Sequence, residues 1–149
     1  MMRAVVQRVT LAEVRCGSET RAIGRGLVVL VAVEAGDGPA DLSYMAGKVA
    51  RLRIFANGSG KMDRSVVDVG GEVLLISQFT LAASLVKGRR PDFTGAERPE
   101  VAAAQVEALA EAVRGAGCPV VTGFFGEYME VALVNDGPVT IWIDSRRRQ

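Results

Sequence analysis

The sequence predicts an α+β domain with a mixed or antiparallel sheet and packed helices. Three observations carry this. Valine-rich runs of strand length recur along the chain. Two amphipathic segments each follow a proline, a residue suited to the first position of a helix. The elements follow in the order β-β-β-α-β-α-β-β-β with no linker between them. A chain of 149 residues suits one domain, and such a domain buries roughly 70% of the surface its unfolded chain exposes. Residues 1–149 are therefore read as a single domain, with 146–149 as a disordered tail.

Ala4 to Val9 and Leu11 to Arg15 read as two extended segments. Gly17 to Thr20 reads as a turn and Arg21 to Gly26 as a short connection. Leu27 to Val33 is continuously apolar and of strand length, which suits a central strand buried on both faces. Pro39 opens a helix whose apolar face carries Leu42, Met45, Ala46, Val49 and Leu52. Asn57 to Gly60 is a loop, and Glu72 to Leu81 reads as a second strong strand. Lys87 to Pro99 is irregular. A helix then starts at Pro99, buries Val106, Leu109, Ala110 and Val113, and ends at Gly115 and Gly117. Val120 to Gly123, Tyr128 to Val134 and Val139 to Ile143 complete the β content.

Composition narrows the chemistry. Apolar residues make up 49% and charged residues 23%, with a net charge of +1, a globular balance. Arg3, Gln7 and Arg8 interrupt the apolar start, which argues against a signal peptide. The longest apolar run is far too short to span a bilayer. Cys16 and Cys118 lie far apart, so neither a disulfide framework nor a cysteine metal site is expected. A cytoplasmic protein that does not engage membranes is the simplest reading. The chain has no histidine. That excludes Ser-His-Asp and Cys-His catalysis and the commonest zinc ligands. No metal and no cofactor are expected, and any proton traffic runs through carboxylates, hydroxyls, backbone amides or the substrate.

Two phosphate-loop resemblances fail. Gly24-Arg25-Gly26 lacks the third glycine of a dinucleotide fingerprint and precedes a strand instead of following one. Gly60-Lys61 is followed by Met62 where a Walker loop needs Ser or Thr. Three segments remain. Ser77-Gln78-Phe79-Thr80-Leu81 turns polar abruptly after Val73-Leu74-Leu75-Ile76. In an extended chain Gln78 and Thr80 face one way and Ser77 and Phe79 the other. A strand end that meets solvent carries the same pattern. Asn135-Asp136-Gly137-Pro138-Val139-Thr140 joins two apolar runs and reads as a turn. Lys87, Arg89 and Arg90, with Phe93, form a loop suited to tracking phosphates and stacking a base. A solvated charge cluster has the same composition.

Together these segments resemble the D-aminoacyl-tRNA deacylase family. The resemblance runs from Met2-Arg3-Ala4-Val5-Val6-Gln7-Arg8-Val9 to Asp144. It also takes in Leu52-Arg53-Ile54-Phe55, Asp68-Val69-Gly70-Gly71-Glu72 and Lys87-Gly88-Arg89-Arg90-Pro91. Asp63 departs from it, since many members carry Asn there. The resemblance implies a homodimer of compact β-rich subunits with the active site at their interface. Ser77, Gln78, Phe79 and Thr80 of one subunit would form the catalytic segment. Gly137 and Pro138 of the other, joined by a cis bond, would exclude L-amino acids. Met129 matches a substrate-pocket position, and Lys87, Arg89 and Arg90 would meet the tRNA. The implied substrates are tRNA charged with a D-amino acid, and glycine mischarged on alanine tRNA. The alternatives are a non-catalytic tRNA-binding dimer, an esterase with a threonine nucleophile, and a purely structural dimer.

Overall fold

The structure, a computed structural model, describes residues 1–147. Eight strands and two helices follow one another as β1 (Arg3–Cys16), β2 (Glu19–Ile23), β3 (Gly26–Ala32), α1 (Pro39–Arg51), β4 (Phe55–Ala56), β5 (Met62–Arg64), β6 (Glu72–Ser77), α2 (Pro99–Gly115), β7 (Val120–Thr122) and β8 (Glu130–Asp144). A 3-10 turn at Phe79–Ala82 follows β6. The main sheet runs β2-β1-β3-β6-β7, with β8 along the other flank of β1. β1 pairs antiparallel with β2, β3 and β8, whereas β3-β6 and β6-β7 are parallel. The sheet is thus mixed. Parallel neighbours need a crossover connection, and α1 and α2 lie in the segments that supply them.

Alternation along β3 and β6 explains their unbroken apolar composition. Leu27, Val29, Val31, Val73 and Leu75 pack with Met45 and Val49 of α1 and Val106, Leu109 and Val113 of α2. Val28, Leu74 and Ile76 face the opposite way and join Val9, Ala12, Val14 and Ile23 in a second core. β1 supplies both cores by alternation up to Val9, and its register against β8 shifts at Gln7/Val9 and again at Val9/Leu11. At the first shift the surplus residues lie on β8, whereas at the second β1 advances two residues against one of β8, which turns the following β1 side chains to the opposite face. Ala4 and Val6 therefore pack on the helical side, and Val9, Ala12 and Val14 on the other. The sheet curls over this second core until it is nearly a barrel, with Arg21 of β2 donating to the carbonyls of Thr122 and Gly123 at 3.0 Å.

Three local expectations are corrected, and a hairpin is found around a loop that the sequence places correctly. The segment read as a short connection holds β2, which returns along β1 after a tight turn at Gly17-Ser18. The second strong strand stops at Ser77 instead of Leu81. A small β4–β5 hairpin brackets the Asn57–Gly60 loop. Tyr128–Val134 and Val139–Ile143 are not two strands joined by a reversal. From Glu130 to Asp144 the chain runs one way along β1.

The last residues are tied to the start of α1. The Ser145 hydroxyl accepts from the Met2 N–H at 3.0 Å and donates to Asp41 at 2.6 Å. Arg146 lies 3.5 Å from Asp41 and donates to the Gly36 carbonyl at 3.1 Å. The remainder of the expected tail, residues 148–149, lies outside the described residues. Among the described residues no helix is long and apolar enough to cross a membrane.

Candidate active site

The polar segment after β6 is built by the end of the ladder. The Gln78 N–H makes a last bond to the Val31 carbonyl at 2.7 Å. Gln78 then leaves the strand region, at φ −138° and ψ 75°. The next residues wind into the 3-10 turn, closed by Leu81 N–H to Gln78 O at 3.1 Å and Ala83 N–H to Thr80 O at 3.2 Å. The first N–H groups of such a turn, on Phe79 and Thr80, have no acceptor within it. The expected strand alternation therefore ends at Ser77. Gln78 and Thr80 still come together, because the Gln78 amide donates to the Thr80 hydroxyl. Ser77 lines a shallow cavity with Leu75, Val106, Thr122, Gly123 and Phe125, between β6, β7 and α2.

The turn is held from two sides. The Arg3 guanidinium donates to the Leu81 carbonyl at 3.2 Å and faces Glu34 at 3.4 Å. The Phe93 ring meets the exposed Phe79 ring edge-on, with centroids 5.1 Å apart. That contact brings the basic loop to the turn. Ser84 and Asp92 exchange backbone bonds of 2.8 and 2.9 Å and close the loop at its base. Lys87, Arg89 and Arg90 stand exposed on it. Met129 sits at the same end of the sheet. Its sulfur accepts from the Phe124 N–H at 3.2 Å, and it packs on the core that contains Ile76.

Gly137 and Pro138 lie elsewhere in the chain. Between the pairs Gln7↔Thr140 and Val9↔Asn135, β1 advances two residues and β8 five. The surplus bulges outward, leaving Gly137 and Pro138 exposed. Their peptide bond is cis, and Gly137 has φ +125°. Arg8 holds the base of the bulge. Its Nε lies 3.2 Å from both the carbonyl and the carboxylate of Asp136, and its Nη1 donates to the Ile54 carbonyl at 2.6 Å. Asn135 closes the other side, accepting from the Val139 N–H at 3.3 Å and donating to the Thr140 hydroxyl at 3.0 Å.

Within one chain these two motifs do not meet. Ser77 pairs with Val31, which lies opposite Ala4, whereas the bulge lies beside Gln7 and Arg8 on the other flank of β1. Four strand residues correspond to about 13 Å. Sequence reasoning missed Arg3 and Arg8. Their only signal is a cation within an apolar strand, where an unpaired charge is costly. Among the described residues, no three cysteine, aspartate or glutamate side chains cluster as metal ligands would.

A family profile described as D-Tyr-tRNA(Tyr) deacylase matches residues 5–144. This chain belongs to that family. A D-aminoacyl-tRNA deacylase of Thermomicrobium roseum is 52% identical over 145 residues, covering 97% of this chain and 94% of the relative. One of Paracoccus denitrificans is 53% identical over 148 residues and covers 99% of both. Among solved structures, the c-Myc DNA Unwinding Element Binding Protein superposes with a TM-score of 0.90 at 42% identity, covering 95% of this chain and 97% of that one. A probable eukaryotic D-amino acid tRNA deacylase superposes with a TM-score of 0.82 at 20% identity, covering 95% and 98%. That second likeness speaks for the fold alone.

Proposed function

We propose that this protein hydrolyses the ester of D-aminoacyl-tRNA, releasing the free D-amino acid and the tRNA, and that it works as a homodimer in the cytoplasm. The observation that carries the reading is the turn at Phe79–Ala82, with Gln78 tied to Thr80 and the basic loop packed against Phe79. Water attacks the ester carbonyl carbon. Negative charge grows on the carbonyl oxygen and is met by the N–H groups of Phe79 and Thr80. One such donor is worth about 10²–10³ in rate. The tetrahedral intermediate collapses, the bond to the ribose oxygen breaks, and that oxygen takes up a proton as the carboxylate leaves. With no imidazole in the chain, the neighbouring ribose hydroxyl handles the proton. Gln78 and Thr80 position the 3′ end. Thr80 does not attack, because among the described residues its hydroxyl meets the Gln78 amide and no base that would activate it.

Selection comes from Gly137 and Pro138 of the partner subunit. Their separation from Thr80 within one chain supports a shared site, as does their exposure on the bulge. Their carbonyls stand close to the substrate's α-carbon, block an L side chain and leave a D side chain open space near Met129. Glycine has no side chain to block, so glycyl-tRNA mischarged on alanine tRNA is also a substrate. The test is incubation of the purified protein with D-Tyr-tRNA and L-Tyr-tRNA, counting the ester that survives. Loss of D-Tyr and persistence of L-Tyr is expected. Equal survival of both esters sinks the reading.

A further inference from the structure

We infer that the outer face of α1, with the chain leaving it, is a second phosphate-binding surface, occupied by the sugar–phosphate backbone of the tRNA substrate. The inference rests on the function proposed above. The surface is a groove of about 460 Å³, open to solvent, lined by Tyr44, Gly47, Lys48, Arg51 and Arg53 among others. Lys48 and Arg51 are one helical turn apart, so their charges stand about 5 Å from each other along the helix axis. Among the described residues neither has a carboxylate partner, and Lys48 lies over the Tyr44 ring at 5.5 Å. Arg53 pairs with Asp63 at 3.1 Å, and Arg64 donates to the Asp68 carbonyl at 2.9 Å. The Asp63 carboxylate thus offsets Arg53 on the hairpin side, and Lys48 and Arg51 leave the α1 side positive.

Cations in a last helical turn also complement the helix dipole. That accounts for Lys48 and Arg51 but not for Gly47. A glycine inside a helix costs about 1 kcal/mol relative to alanine. No packing demands it here, since a Cβ built on Gly47 would meet nothing within 4 Å. Its effect is to lower the groove floor to the backbone between Tyr44 and the two cations, where a phosphate can approach closely.

The edge of the groove is also tied to the proposed gate through the chain and Arg8. Arg53 is followed by Ile54, whose carbonyl is held by Arg8, and Arg8 in turn holds Asp136 next to Gly137. A tRNA whose ester end lies against Gly137 and Pro138 carries its next phosphates past this groove. The basic loop at Lys87 to Arg90 then holds the RNA from the subunit that supplies Thr80, and α1 holds it from the subunit that supplies Pro138.

The experiment is equilibrium binding of uncharged tRNA, measured from 50 to 200 mM salt. The proteins are wild type, the Lys48→Ala/Arg51→Ala double variant, the charge-preserving Lys48→Arg/Arg51→Lys variant, and Gly47→Leu. Two phosphate contacts at about 0.7 each predict that the double alanine variant flattens the logarithmic salt slope by about 1.4. Its affinity deficit relative to wild type then shrinks about sevenfold over that range. The charge-preserving variant keeps the wild-type slope. Gly47→Leu keeps the charge and binds more weakly. Melting temperatures no lower than that of wild type establish that the fold is intact, and Gly47→Leu is expected to melt higher because it removes a helix glycine. Wild-type affinity and slope in both the double alanine variant and Gly47→Leu overturn the inference, as they must if the groove takes a protein instead. The function itself is judged separately, by wild-type cleavage of D-Tyr-tRNA.

Discussion

Replacing Gly137 with alanine separates the proposed gate from the rest of the fold. The residue sits at φ +125°, where an L side chain is strained by about 1–3 kcal/mol. An added Cβ would also stand 2.9 Å from Val139 Cγ2 and 3.0 Å from Arg8 Nη2. Relief requires the bulge to shift or Arg8 to give way. Arg8 is anchored on Ile54 and Asp136, so the bulge is the part that moves. At about 2–4 °C per kcal/mol for a chain of this size, the melting temperature falls by roughly 2–12 °C. The protein stays folded, because most of both cores lies away from the bulge and Val139 is the core residue next to Gly137. A positioning group displaced by about 1 Å changes rates by on the order of 10²-fold. The ratio of D-Tyr-tRNA to L-Tyr-tRNA cleavage is therefore expected to drop by about a hundredfold, chiefly because L-Tyr-tRNA becomes a substrate. The assay is parallel single-turnover deacylation of the two esters, with a thermal melt on the same preparation. A lowered melt with an unchanged ratio refutes the gate. An unchanged melt refutes the strain argument.

Further outcomes follow from the same geometry. Thr80→Ala removes the acceptor of the Gln78 amide and should slow D-Tyr-tRNA cleavage about tenfold, the order expected for roughly 1.4 kcal/mol of positioning. A covalent aminoacyl adduct on Thr80 by mass spectrometry overturns that role. Replacing Lys87, Arg89 and Arg90 with alanine should flatten the salt slope of tRNA binding by about 2, at 0.7 per phosphate, whereas an unaltered slope places the RNA path elsewhere. Prolonged EDTA treatment should leave deacylation intact, and a loss restored by one added metal refutes the metal-free mechanism. Burial alone would raise the Asp41 carboxyl, but the Ser145 hydroxyl, the Gly38 N–H and Arg146 outweigh it and hold it below its ordinary value. Its stabilising effect is thus complete above the unfolded value of about 3.9 and is lost as pH falls through the folded one. The melting difference between wild type and Asp41→Asn should be constant above about pH 5 and narrow below about pH 4.

Local periodicity made most of the fold legible. Both helices begin at the prolines that the sequence marks, and β3 is buried on both faces as its unbroken apolar run requires. The two failures at the site share a physical cause. The Ser77–Leu81 segment reads from sequence as the polar end of a strand, yet parallel pairing to β3 ends with Val31↔Ser77. Without a ladder partner, the chain turns. Asp136-Gly137-Pro138 reads from sequence as a turn, because Asp-Gly and proline suit turns. Here the same residues feed a bulge, since β1 is long enough to pair with β8 on both sides of it. Turn chemistry is local, and whether a turn reverses the chain or only swells it depends on a partner more than 120 residues away in sequence.

That long-range choice is what gives the site its form. Had Asp136 to Pro138 reversed the chain, the two apolar runs would have paired with each other and buried the turn's neighbours in a hairpin. Running on along β1 instead, β8 projects Gly137 and Pro138 outward from the middle of a continuous strand, braced by Arg8 below and Asn135 beside. Within its own chain this projection does not meet the Phe79–Ala82 turn, which lies on the other flank of β1. It suits insertion into a second copy, whose own turn offers unpaired N–H groups and the Gln78–Thr80 pair. The absence of histidine fits the same arrangement. If one subunit supplies backbone donors and a positioning pair and the other a steric wall, the protein fixes geometry and excludes the wrong isomer, while the RNA's own hydroxyl moves the proton.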